Sequence, residues 1–487
     1  MKTKGMIAAG HKETAAAGAE ILQAGGNAFD AALAAMMASF VCESSLTSLA
    51  GGGFLTAYSA NGQNALFDFF VQTPKVRHKV EDMDFVLSHI NFGNTKQAQY
   101  IGRGSAAVPG CPAGVFAVHE ALGSMPIKEI FLPAIRLAKE GVLITPYQEY
   151  SIKILEDVLM GDPSCEALFT LDGDLVKAGQ VIAYPEMADA LDVLAHEGVR
   201  LFYEGEIAQA YAQDSEEYGG SISLEDLNAY QVLERTPMRY GYRDYEFLTN
   251  PRPSAGGSMI SYGLQRLAKH NNIPRPKDMA YIRLLSQTMH EMEEIRRTHL
   301  QKGMDWLGNT THISVLDEHG NAASVTTTLG GASGRTIPGT GIMTNNMLGE
   351  LDLHPEGFYR WPTDKRVTSM MSPSILLQDG QARFVLGSGG SSRIRSAILQ
   401  SLVQFVDHGM SVEDLVVAPR MHWEAGQLNL EPGLCEEEIA LGALTREVVR
   451  WEDRNMYFGG VHAVARSANG QLSAMADPRR DGAVAEV

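Results

Sequence analysis

The chain has 487 residues, with 40 Lys and Arg against 58 Asp and Glu, a formal net charge of −18. Hydrophobic residues make up 45% and charged residues 20%, a globular balance that excludes disorder as the main state. So acidic a chain has no footprint for nucleic acid and no basic amphipathic face for a membrane surface, which leaves small-molecule chemistry.

In chain order, the first residues carry no apolar signal core with a small-residue cleavage site. The longest apolar stretch, 31–41, is too short to span a bilayer. The expectation is a cytoplasmic protein. Cys42, Cys111, Cys165 and Cys435 lie far apart, so neither a structural zinc site nor a disulfide scaffold is expected. An alanine-rich helix is predicted over 14–22, stopped by Gly25-Gly26, and Asn27 is placed to cap a second through Ala31, Leu33, Met36 and Phe40. Gly51-Gly52-Gly53 leads into a hairpin of 54–58 and 65–70 about Asn61-Gly62. The stretch 115–300 reads as mostly helical, as in 127–140, 186–195, 207–212 and 280–300. Three more hairpins follow: 312–316 with 322–329, 374–378 with 381–386, and 462–466 with 472–475. A glycine turn over 387–390 opens a helix over 391–408. Antiparallel hairpins between helical regions predict sheets sandwiched between helix layers in one interleaved globule.

Five stretches could carry chemistry. Asn309-Thr310-Thr311-His312 can be simple β-branched strand filling. It can also hold a nucleophile. A threonine hydroxyl is a poor nucleophile near neutral pH, but a free α-amine, with a pKa near ~8, can take its proton. That amine exists only if the chain is cut between Asn309 and Thr310, leaving 1–309 and 310–487. Gly387-Ser388-Gly389-Gly390-Ser391-Ser392-Arg393 is a strand-to-helix turn. It either aims N–H groups at one point as an oxyanion hole or is only a tight turn, and it lacks a phosphate loop's Lys. Ser369-Met370-Met371-Ser372-Pro373 reads as a turn entering a strand, His422 as a structural partner, and Asp477-Pro478-Arg479 as a turn with a surface or structural ion pair. With no His pair at metal-helix spacing, neither metal nor organic cofactor is expected.

Taken in order, these pieces resemble the γ-glutamyltransferase family of N-terminal nucleophile hydrolases. The resemblance runs nearly end to end. It includes Gly25-Gly26-Asn27-Ala28, Gly51-Gly52-Gly53-Phe54, Pro109-Gly110, Asn309-Thr310-Thr311-His312, Asn345-Asn346, Met371-Ser372-Pro373, Gly387-Ser388, Ala418-Pro419-Arg420 and Asp477-Pro478-Arg479. It implies an α+β fold, the αββα sandwich, with two antiparallel sheets between helix layers. It also implies a single precursor that cuts itself at Asn309–Thr310 into a large subunit, 1–309, and a small subunit, 310–487, which stay interlocked. By the same resemblance Thr310 is the nucleophile, Thr328 supports it, and Gly390 and Ser391 supply the oxyanion-hole amides, Ser391 standing where the family usually has Gly. The expected partner is a small amide substrate.

The substrate-binding positions depart from the family pattern. Phe70 stands where an Arg would hold the γ-glutamyl carboxylate. Ser369-Met370 replaces a Ser-Ser pair, Glu350 an Asp, Met347 a Gln, and Gly330 an Asn. Losing a hydrogen bond to a charged group costs roughly 1.5–3 kcal/mol, and each ~1.4 kcal/mol is tenfold. The Phe70 change alone should weaken glutamyl recognition by one to two orders of magnitude unless Arg335, Arg366 or Arg393 fills in. The connection from Asn346 to Met371 is short, so an open site is expected, with Tyr359 and Trp361 as candidate cover. The tether before Thr310 is also short. The leading expectation is a self-processing amidohydrolase with a re-specialised acyl pocket. The rivals are a glutathione hydrolase or transferase with a rebuilt pocket, and an uncleaved, non-catalytic binding protein.

Overall fold

The computed structural model describes residues 3–91, 96–296, 309–350, 353–354, 357–434 and 445–487. Cys435 and the tether ahead of Asn309 lie outside these residues. The other three cysteines are buried and free.

Strand β1 (Gly5–Ala9) is followed by helices α1 (Lys12–Gln23) and α2 (Ala28–Cys42). Asn27 caps α2 in a reciprocal capping box with Asp30. Every residue of α2 is buried. A helix apolar on all sides belongs inside, and its many alanines let neighbours approach closely. The hairpin β2 (Gly52–Tyr58) and β3 (Asn64–Phe69) comes next. A further helix, α3 (Ile127–Glu140), packs on α2.

The middle of the chain is less helical than expected. Strands β4 (Leu233–Arg235), β5 (Met238–Tyr242) and β6 (Tyr245–Thr249) interrupt it before α4 (Gly256–Leu267) and α5 (Met279–Ile295). β4 and β5 are edge strands, and β6 lies one strand in. β4 adds to β3, while β6 adds to a second sheet and carries β5 outside it. β4 pairs with a strand remote in sequence, whereas β5 and β6 form a local hairpin whose turn, Arg243-Asp244, lacks the glycine that marks the other hairpins.

The remaining strands of the two large sheets are β7 (Asn309–Asp317), β8 (Ala322–Gly330), β9 (Ser374–Gln378), β10 (Gln381–Gly389), β11 (Gly460–Arg466), β12 (Leu472–Met475) and β13 (Ala483–Glu486), with helix α6 (Arg393–Val406) after β10. One sheet has seven strands in the order β4-β3-β2-β8-β7-β1-β13, the other six in the order β5-β6-β9-β10-β11-β12. All pairings within both are antiparallel. The glycine turn is shorter than predicted, because β10 continues through Gly389 and only Gly390, Ser391 and Ser392 precede α6.

The layers follow from side-chain alternation. α1 packs on β1 and α2 on β7 and β8. The two sheets face each other through β7, β8, β10 and β11, and α6 and α4 cover the far side. Along β7, Ile313 and Val315 join the helix-side core while Leu316 joins the core between the sheets. With a period of two, Thr310, His312 and Ser314 face the second sheet and Thr311 faces the helices. Among the described residues no helix is long and apolar enough to cross a membrane.

Candidate active site

Thr310 is the second residue of β7, with a register irregularity between Asn309 and Thr310. Thr328 of β8 lies directly opposite it, so the two side chains project to the same face. The Thr328 hydroxyl donates to the Asn309 carbonyl and accepts from the Gly330 N–H at 3.0 Å. The Asn309 side chain donates to the Ser45 carbonyl at 3.0 Å. The peptide joining Asn309 to Thr310 is thus held on both strands with its carbonyl already hydrogen-bonded.

The second sheet brings the glycine turn to the same place. A methyl group at Gly389 would stand 2.2 Å from the Thr310 carbonyl oxygen, so only glycine allows this approach. Gly390 has φ +114° and Ser391 φ +50°. The left-handed region suits glycine, and Ser391 occupies it without that freedom. The carbonyls of Gly390 and Ser391 accept from the N–H groups of Arg393 and Ile394 at 3.1 Å each, which starts α6 directly behind the turn.

A cleft of about 330 Å³ opens here. Thr310, Thr328 and Ser391 line it on the chemical side, and Phe70, Met347, Glu350, Ser369 and Met370 on the other, joined by Leu353, Met371 and Ile394. Gly390 and Gly330 are not in its wall. Gly330, φ +75°, instead lies behind Glu350, where a Cβ would stand 2.6 Å from a carboxylate oxygen. Phe70 is 1% exposed and stacks on Phe54 at 5.4 Å. Asn345 and Asn346 shape the loop that carries Met347 and Glu350. Asn345 accepts from Ala107 and Met347 N–H groups, and Asn346 accepts from Gly331 N–H and donates to Gln99.

None of the three candidate cations reaches this cleft. Arg366 donates to the Phe70 carbonyl and to Tyr230 Oη, and its guanidinium lies 3.4 Å from Asp68. Arg335 faces Asp84 and Asp162, and Arg393 spans Tyr457 and Ser392. Among the described residues no Lys or Arg lines the cleft. Tyr359 and Trp361 do not line it either. They pack in an aromatic cluster with Phe85, Tyr100 and Phe358.

Two charged residues beside Thr310 are not predicted from the sequence. Glu43, just past α2, accepts from Thr311 Oγ1 at 2.5 Å and from Thr14 Oγ1 at 2.7 Å. Burial raises its pKa to about 7, against the pull of the two hydroxyls and Arg480. Arg480 donates to the Thr310 carbonyl at 3.1 Å. The only local signal for Glu43 is an acid ending an otherwise apolar helix; for Arg480 it is adjacency to Asp477-Pro478-Arg479. That last motif is a buried ion network, not a surface pair. Asp477 meets Arg420 at 2.7 Å and Arg479 at 3.2 Å, and Arg479 meets Glu431. Burial would push the Asp477 carboxyl up, but the two guanidiniums and backbone N–H groups outweigh it and hold it at about 2. His422 hydrogen-bonds Ser396 at 2.7 Å and serves as a structural partner. Burial holds the histidines behind the site neutral: His312 well below its ordinary range and His462 at about 4. Among the described residues no three His, Cys, Asp or Glu side chains form a metal-binding set.

The chain is similar to known proteins over nearly its whole length. The family model described as gamma-glutamyltranspeptidase matches residues 14–305 and 301–487. The acylase ACY 1 proenzyme of Pseudomonas sp. (strain V22) is 30% identical over 524 residues, covering 99% of this chain and 93% of that protein. The glutathione hydrolase proenzyme of Escherichia coli (strain K12) is 28% identical over 532 residues, covering 98% and 90%. The crystal structure of cephalosporin acylase from Bacillus halodurans has the same fold, with a TM-score of 0.86 at 23% identity over 99% of this chain and 96% of that one.

Proposed function

The chain belongs to the gamma-glutamyltranspeptidase family, and from that premise we propose that it is a self-processing N-terminal threonine amidohydrolase with an apolar acyl pocket. The observation that carries this is the cleft itself. It sets Thr310, Thr328 and Ser391 against Phe70, Met347 and Met370, with no cation among the described residues of its wall.

Maturation starts with Thr310 Oγ attacking the Asn309 carbonyl carbon. The Thr328 hydroxyl already donates to that oxygen, so negative charge forming there has a donor in place. The peptide nitrogen leaves as the Thr310 α-amine, and the acyl group passes to Oγ as an ester. Water hydrolyses the ester, leaving a carboxylate on Asn309 and a free amine on Thr310. The fragments 1–309 and 310–487 stay together because β1 and β2 of the first pair with β7 and β8 of the second.

In turnover the α-amine takes the Thr310 hydroxyl proton as Oγ attacks a substrate amide. The Ser391 N–H at the cleft wall meets the oxyanion, and the Gly390 N–H, just outside that wall, is the second amide by the family pattern. The C–N bond breaks, the amine leaves with the proton, and water releases the acid from the acyl-enzyme. Glu350 gives the pocket one acidic wall, suited to a donor on the acyl group. A γ-glutamyl group would also need a cation for its carboxylate, which disfavours glutathione as the preferred substrate.

The test is intact mass under denaturing conditions with amide hydrolysis. Wild type should give two species split between Asn309 and Thr310 and hydrolyse apolar acyl anilides faster than γ-glutamyl anilide. Thr310→Ala should remain one species and be inactive. Normal cleavage in that variant would remove Thr310 from the mechanism.

A further inference from the structure

A second cavity of about 590 Å³ lies beside the cleft, and Leu353 lines both. Two extended segments connect them. Residues 70–73 and 365–371 run antiparallel, with Val367 N–H donating to the Val71 carbonyl at 3.1 Å and Thr73 N–H to the Lys365 carbonyl at 2.8 Å. At one end Phe70 and Met370 line the Thr310 cleft. At the other Thr73 and Lys365 line the second cavity. Three residues of extended chain rise about 10 Å, so the two spaces follow one another along a shared wall on the acyl side.

The second cavity differs in chemistry. Trp361 is 1% exposed and lines it, and its indole Nε1–H has no acceptor among the described residues. A buried donor without a partner is costly, and the residue that carries it is part of the cavity wall. Arg360 and Lys365 are exposed and also line the cavity. Its histidine, His354, is tied to the Met347 carbonyl at 2.7 Å and held neutral by burial. No acidic residue is among the described residues of its wall. A ligand group suited to it accepts hydrogen bonds and carries negative charge, and toward the cleft it faces Leu353, which shares the cleft wall with the apolar Phe70 and Met370.

We infer that this cavity is the far half of the substrate site and holds a carboxylate at the end of a long apolar acyl chain, against the Trp361 N–H and between Arg360 and Lys365. This rests on the amidohydrolase reading and adds the substrate class: mono-amides of dicarboxylic acids long enough to pass Leu353. The same carboxylate chemistry could come from a separate anion bound beside a shorter acyl group, and the test separates the two.

The experiment measures kcat/KM for p-nitroanilides of ω-carboxyacyl chains of four, five, eight and ten carbons and of their neutral equivalents. The eight- or ten-carbon acid should exceed the five-carbon acid by about tenfold, the scale of one charge-assisted hydrogen bond. Arg360→Ala with Lys365→Ala, and separately Trp361→Phe, should each lower the ratio of suberoyl to butyryl turnover by about tenfold. Leu353→Trp should abolish the long-chain preference. An optimum at five carbons or below, or a preference these variants leave intact, overturns the inference. Free pimelate that accelerates butyryl anilide turnover assigns the cavity to a separate anion and also overturns it. Calorimetric binding of suberic mono-anilide to Thr310→Ala, weakened by the Arg360 and Lys365 changes, supports the site without relying on turnover. Such binding with no hydrolysis by wild type refutes the amidohydrolase reading alone.

Discussion

Replacing Glu43 by Gln tests the electrostatics around Thr310. In the fold Glu43 is buried among Thr14, Thr311, Cys42 and Tyr147, with Arg480 nearby. Burial moves its pKa from 4.5 to about 7. Between those values the folded protein keeps a proton that the unfolded chain has lost. Stability falls with pH wherever the folded state binds more protons, so Glu43 costs stability as pH rises from 4.5 to about 7. At about 1.4 kcal/mol per tenfold in proton affinity, the full cost is about 3 kcal/mol. Glutamine has no charge to desolvate. Its amide oxygen can accept from one threonine hydroxyl, and its N–H can donate to the other, at a loss of roughly 0.5–1.5 kcal/mol. Glu43→Gln should therefore be about 2 kcal/mol more stable than its parent at pH 8 and equal or slightly less stable at pH 5. Urea unfolding at both pH values, with Thr310→Ala in both proteins so that each is one chain, reads the difference. A variant less stable at pH 8, or a difference that ignores pH, would refute the reasoning.

Other outcomes follow from the same geometry. Gly389→Ala places a methyl 2.2 Å from the Thr310 carbonyl oxygen; it should block processing on a denaturing gel and cost about 1–3 kcal/mol. Gly241→Ala, with open space around it, should stay within about 0.5 kcal/mol. Phe70→Arg should raise kcat/KM on γ-glutamyl anilide by about one to two orders of magnitude while lowering the melting temperature through the lost stack on Phe54; no gain would place Phe70 outside acyl recognition. Burial holds His11, His354 and His462 at about 4. Because the unfolded chain binds protons on these bases below 6.5 and the fold does not, stability should rise with pH from about 4 to 6.5. A melting temperature that falls over that interval would contradict their burial as neutral rings.

Local chemistry makes much of this protein legible in its residues. The Asn-Gly and Asp-Gly turns mark hairpins because their backbone preference is short-range, and Asn27 marks a helix start for the same reason. The alternation of β7 is readable too, whereas Thr310 and Thr328 stand out as candidates only through the resemblance of the ordered motifs to a family. The strands β4, β5 and β6 do not, because β4 pairs with a strand far off in the chain and the β5–β6 hairpin turns at Arg243-Asp244 without a glycine. The pocket's apolar character is legible at Phe70, Met347 and Met370, but the fate of the candidate arginines is not. Arg335, Arg366 and Arg393 are claimed by acids, carbonyls and hydroxyls that only folding brings to them. Glu43 and Arg480 show the limit most clearly. They lie at opposite ends of the sequence, and both reach Thr310 or its neighbour because β1 and then β13 follow β7 in one sheet while α2 packs across it. Residue types and turn signals act over a few residues and are written in the chain. The charge next to the nucleophile, and the space that follows it past Leu353, depend on contacts across hundreds of residues, and the tertiary structure alone decides those.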